Sequence, residues 1–145
     1  MHFIFADDSH QAKPSRLKMG PLVAIGGVHM PETAARPLER AVDYLCFEAG
    51  FPPGEEFKWS PGPETWMHGN LRSPARESFF SSVLTMAGFH GSTATVVVAD
   101  ASCQHAVETS TSYDHDVATL FLERVEYALS AAGSTGVVVI DRSPA

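Results

Sequence analysis

Cysteine is scarce in this chain. There are 2 in 145 residues, Cys46 and Cys103, and no Cys-x-x-Cys pair. That count argues against a disulfide framework and suits a reducing cytoplasm, the expected location. Positive charge is also short: 10 Lys and Arg against 17 Asp and Glu leave a net charge of −7. An extended basic surface, and with it strong non-specific nucleic-acid binding through lysines, is disfavoured. A nuclease whose carboxylates carry a divalent cation stays open, because the ion reverses the local field. No apolar run approaches the ~20 residues of a membrane span. The chain opens directly on a strand, with no targeting segment expected. The 7 histidines show neither His-x-x-x-His nor His-Glu-x-x-His spacing. Gly-x-Ser-x-Gly, the P-loop and Gly-x-Gly-x-x-Gly are absent too, so zinc-protease, acyl-transfer and nucleotide-binding readings have no motif.

What the chain does have is short apolar strands that stop at carboxylates. His2-Phe3-Ile4-Phe5-Ala6 runs into Asp7-Asp8, Thr95-Val96-Val97-Val98-Ala99 into Asp100, and Gly136-Val137-Val138-Val139-Ile140 into Asp141. Open α/β sheets place their chemistry at such strand ends. Leu22 to Met30 is apolar on both faces, which predicts a central strand paired as a hairpin with the first. Helical spacing over Leu38, Ala41, Val42, Leu45, Cys46 and Ala49 predicts a helix stopped by Gly50, with Pro37 in its first turn and Cys46 a buried small hydrophobe. Glu55 to Ser60 alternates charged and aromatic residues, as an edge strand does. Residues 61–72 read as irregular. Ser73-Pro74 is expected to cap a helix with Phe79, Phe80, Val83, Leu84 and Ala87 on its buried face. The strand over 93–100 is expected to be buried. Ser112 is expected to cap a long helix with Val117, Leu120, Phe121, Val125 and Leu129 inward. Alternating strands and helices in 145 residues predict one α/β domain with a mixed sheet, the first pair antiparallel and later strands parallel to the first.

Three strand-end aspartates in one small domain suggest a site for a hard divalent cation, which takes oxygen ligands. Asp7 is the first choice of ligand, with Asp141 and Asp100 the other candidates. For each, the competing reading is a turn residue bonded to its own backbone. Lys58, between Glu56 and Trp59, is a candidate for holding a phosphate or restraining a carboxylate; an exposed strand charge is the plain alternative. Trp59 and Trp66 would stack on bases or anchor loops. Lys13, Arg16 and Lys18 form the most basic loop, solvated or phosphate-facing. Tyr113-Asp114-His115-Asp116 reads as acidic residues in the first turn of a helix, where the dipole favours them.

Phe5-Ala6-Asp7-Asp8-Ser9 resembles the Asp-Glu-Ser-Gly opening of the bacterial family known as domain of unknown function 3800. Further similarity lies in Gly26-Gly27-Val28 followed by Pro31, in Glu56-Phe57-Lys58-Trp59-Ser60, in Leu122-Glu123-Arg124 and in Val139-Ile140-Asp141-Arg142-Ser143. The resemblance implies a ribonuclease H-like fold, a mixed sheet with helices on its faces. It further implies a metal-dependent nuclease or nucleic-acid-processing domain. Carried over, Asp7, Lys58 and Asp141 match the family's polar signature and become the expected catalytic residues. Asp7, Asp100 and Asp141 are the expected ligands of Mg²⁺ or Mn²⁺, and nucleic acid is the expected partner. Asp8 stands where the family has Glu, and His10 where it has Gly. Family members continue into a helix with an Ala-Asp-Leu motif, so this chain is expected to lack that C-terminal helix. The alternative is a non-catalytic binding or assembly module with a degenerate acidic site, in which a homo-oligomer covers the open face of the sheet.

Overall fold

The computed structural model describes residues 1–14, 20–102 and 113–141. Arg16, Lys18, Cys103, Ser112, Arg142 and Ser143 fall outside them. The chain divides into two compact units, Met1–Glu32 with Thr93–Ala145, and Thr33–Ser92.

The first unit is a mixed α/β layer. Strands β1 (His2–Gln11), β2 (Leu22–Pro31), β3 (Thr93–Asp100) and β4 (Gly136–Asp141) form one four-stranded sheet in the order β3-β2-β1-β4. β1 and β2 pair antiparallel from His2↔Pro31 to Gln11↔Leu22. β4 runs parallel to β1 from His2↔Gly136 to Asp7↔Asp141. β3 is antiparallel to β2, and so runs in the same direction as β1. The central hairpin and the strand directions match the expectation. The helix of this unit, Tyr113–Ala131, crosses over between β3 and β4.

Side chains alternate across a strand, and the core shows which set points inward. Ile4, Ala6, Val23 and Ile25 are buried with Val117, Phe121 and Val125 of the crossover helix. Phe121 and Ile4 are fully enclosed; removing each from water contributes about 1.5–3 kcal/mol. Gly27 admits the helix closely, since a Cβ there would lie 2.6 Å from the Phe121 ring. The opposite face is open: Phe5, Val28, Val96, Val98, Val137 and Val139 are all exposed. β3 is therefore not the buried strand its β-branched run suggests. It lies at the sheet edge, covered on one face only.

The second unit has its own core of Met67, Leu71, Phe79 and Val83, with Val42, Leu45, Cys46 and Ala49 packed on it. Its helices are α1 (Glu32–Glu48), α2 (Trp66–Asn70) and α3 (Ala75–Phe89); the crossover helix of the first unit is α4 (Tyr113–Ala131). Pro37 stands inside α1 rather than in its first turn. The helix begins at Glu32, and the ring removes one interior amide bond. Gly50, at φ 82, ends α1 as expected.

The edge strand expected over 55–60 does not form. Phe57 turns into the core instead, 5.6 Å from the Phe79 ring centre. Within the stretch expected to be irregular, α2 forms because Thr65 caps it, its Oγ1 accepting from the His68 amide at 3.3 Å. The Arg76 guanidinium closes the other end, Nε donating to the Leu71 carbonyl at 2.6 Å and Nη2 to the Met67 carbonyl at 3.2 Å. Ser73, expected to cap α3, bonds Glu77, but the N-cap position is held by Pro74, which has no side-chain cap bond. Leu84 is 59% exposed, so the buried stripe of α3 is narrower than its apolar sequence.

Candidate functional site

Asp7 and Asp141 are register partners on neighbouring parallel strands. Partners in register share a face, and adjacent strands lie about 4.8 Å apart. Both aspartates are exposed. They stand on the open face, because Ile4 and Ala6 of the alternate set are buried under α4. Two carboxylates thus stand side by side with their oxygens in water, but only Asp141 ends its strand; Asp7, expected at a strand end, lies within β1, because pairing with β2 carries that strand on to Gln11.

Asp100 does not join them. Its strand runs the same way and its parity puts it on the same face, but its row is not level with that of Asp7. Asp7 is opposite Gly26, and Gly26 is opposite Val96. Asp100 is four residues further on, about 13 Å along the strand direction and two strand spacings across. Its Oδ1 is already engaged, accepting from the Ser102 amide at 2.9 Å and the Ser102 hydroxyl at 2.6 Å. The Ser102 hydroxyl, then its amide and the Gly20 amide, hold the Asp100 carboxyl below the usual range. This is the turn arrangement weighed as the competing reading for a strand-end aspartate.

Lys58 belongs to the second unit. Its Nζ lies 2.9 Å from Glu56 Oε2, both side chains largely exposed. The bond and the charge of Lys58 lower the Glu56 pKa. Trp66 packs on Phe51 at 4.9 Å and belongs to the rim of that unit's core. Trp59 is half exposed and packs on Phe80 at 4.8 Å and Phe57 at 5.0 Å.

No protein-family model, curated protein or solved structure matches the chain.

Asp8 follows Asp7 in sequence but points to the other face. There it meets an element that strand-end reasoning passed over. His10 Nε2 lies 3.5 Å from Asp8 Oδ2 and 2.9 Å from Asp114 Oδ1. Asp114 and Asp116 occupy the first turn of α4, as the sequence suggested. A cleft of about 310 Å³ opens beside this group, lined by Asp8, Asp114, Ile25, Val117 and Ile140 among others. The signal was present in the period of two: Asp8 and His10 share parity with buried Ile4 and Ala6. Among the described residues, no group of three or more His, Cys, Asp or Glu side chains forms a cage for a metal ion. The open-face pair offers two carboxylates, a set that suits Mg²⁺, which binds through one or two carboxylates and keeps several waters or substrate oxygens. No helix among the described residues is long and apolar enough to cross a membrane.

Proposed function

We propose that the first unit is a divalent-cation-dependent phosphodiesterase domain acting on nucleic acid, with Asp7 and Asp141 as the residues that hold Mg²⁺ or Mn²⁺. The observation that carries this reading is the in-register pairing of the two aspartates on parallel strands. Two like charges directly opposite one another weaken a sheet; a shared cation turns that repulsion into attraction. The bound ion supplies charge neutralisation at a phosphoryl oxygen and an acidified water. Asp7 and Asp141 would hold it on the open face, which leaves room for an extended substrate. Lys58 belongs to the second unit and has no part in this reading. Asp100 is left out, as a turn residue. The strand order β3-β2-β1-β4, with an antiparallel β1–β2 pair, is compatible with a ribonuclease H-like sheet and with the family resemblance in the sequence.

The test is hydrolysis of single- and double-stranded DNA and RNA with Mg²⁺ or Mn²⁺, comparing wild type with Asp7→Asn and Asp141→Asn. Loss of activity in both variants is expected. Equal activity in all three proteins refutes the assignment.

A second reading has its own observation. The apolar open face, with Val96 64% and Val98 56% exposed, suits a non-catalytic assembly module in which another subunit covers the sheet. Under that reading divalent cations do not raise the melting temperature, and the chain self-associates.

A further inference from the structure

Among the described residues, no strand pairs with the outer edge of β3. Sheet edges are ordinarily blunted by proline, lysine, bulges or shortness, because a free row of amides and carbonyls recruits any extended chain. β3 has none of these. It is eight residues long, Thr-Ala-Thr-Val-Val-Val-Ala-Asp, with no charge before Asp100. Its pairing with β2 runs unbroken from His29↔Thr93 to Leu22↔Asp100, so no bulge twists the edge away. Every second residue sends its backbone polar groups outward.

An independent feature lies along the same edge. An open trough of about 550 Å³ runs between β3 and α4, lined by Ala94, Thr95, Val96, Val97, Leu120 and Arg124. Leu120, expected from the sequence to be inward, is 44% exposed and forms part of this wall. Arg124 is the one charged residue among those lining the trough. Both α4 residues project beside the strand from one face of the helix, four positions apart. Strand on one side and helix on the other is the geometry in which an extended peptide adds to a sheet. Main-chain bonds then supply affinity, and the helix flank selects side chains. In a chain of net charge −7, a trough whose one charge among the described lining residues is a guanidinium selects for a carboxylate, which it can grip with two parallel bonds.

We propose that the β3 edge and the flank of α4 form a docking groove for an extended, carboxylate-bearing peptide segment of a partner protein, which adds to the sheet as a further strand beside β3. The inference is independent of the reading of Asp7 and Asp141.

The probe is a fluorescein-labelled peptide of alternating threonine and valine ending in glutamate, titrated against the full chain and followed by anisotropy. Two controls accompany it: the same peptide with lysine for glutamate, and one with alternate amides N-methylated. Wild type should bind the glutamate peptide roughly tenfold more tightly than the lysine peptide, the scale of one charge-assisted pair. Arg124→Glu, at an exposed helix position, should reverse that order without unfolding the chain. N-methylation should remove binding, and hydrogen exchange over residues 93–99 should slow with the glutamate peptide. Equal binding of the two charged peptides, undiminished binding of the methylated one, or no binding to about 1 mM each overturns the proposal. Self-association that protects β3 without any peptide overturns it too, and makes a second copy the occupant.

Discussion

Replacing Asp7 by asparagine tests the paired carboxylates through stability as well as activity, and the expected effect changes sign with the cation. Asp7 and Asp141 are register partners on adjacent strands and both are exposed. At about 5 Å in a water-like dielectric, two unit charges repel by about 0.8 kcal/mol. Physiological salt reduces this to roughly half. In chelator, Asp7→Asn should therefore be slightly more stable than wild type. For a domain of this size 1 kcal/mol is worth about 3 °C, so its melting temperature should rise by about 1–2 °C. With Mg²⁺ at ten times its dissociation constant, a ligand bound only by the native state adds about 1.4 kcal/mol. Wild type should then rise by about 4 °C, and the variant should barely move. The two curves cross. Asp141→Asn should behave alike, whereas Asp100→Asn should leave the Mg²⁺ shift intact, because Asp100 lies apart and is bonded to Ser102. Calorimetry is the suitable assay, since Trp59 and Trp66 both lie in the second unit and report on its unfolding. Equal Mg²⁺ shifts in wild type and Asp7→Asn, or none in either, would sink the cation-holding pair.

Other consequences are open to direct measurement. Phe121 is fully buried between α4 and the sheet, so Phe121→Ala should cost about 3–5 kcal/mol in a denaturant titration of the first unit. Gly27→Val should destabilise by at least about 1–3 kcal/mol by overpacking, since its Cβ would meet both the Phe121 ring and the Phe5 carbonyl; wild-type stability in that variant would refute the close approach. Burial, and then the neighbouring His2, push the His29 pKa below its ordinary value. The unfolded chain therefore takes up the proton first. His29 costs no stability above about pH 6.5, and its penalty grows as pH falls below that toward the depressed native value. His29→Gln should flatten the loss of stability between about pH 7 and 5 relative to wild type, read from denaturant midpoints. Burial, and then Asp43, raise the Cys46 thiol, so iodoacetamide should label it more slowly than a free cysteine at mildly alkaline pH, as peptide mass spectrometry can follow.

Local pattern alone carried the main elements of the first unit. The hairpin of β1 and β2, the α4 stripe of Val117, Phe121 and Val125, and the direction of the strands follow from apolar periodicity and from the rule that parallel strands need a crossover. The glycine stop at Gly50 is equally local, at positive φ. Sequence also brought forward Asp7 and Asp141, because an apolar run ending in a carboxylate is a one-dimensional signal.

Three things depended on tertiary pairing. Phe3 and Phe5 are as apolar as Ile4 and Ala6, so β1 alone could not say which face α4 would cover, and hence whether Asp7 or Asp8 would stand on the open side. Packing of Phe121 against Gly27 decided that. Asp100 looked equivalent to Asp7, yet the end of an apolar run need not be the end of a strand: β1 runs on past Asp7 to Gln11. Register with β2 carries Asp100 four residues past the row of Asp7. The segment of Phe57 alternates like a strand, but no neighbouring strand offers it a ladder, and burial of its ring beside Phe79 won. Periodicity is a property of the chain itself, whereas face and register are properties of what the chain is pressed against.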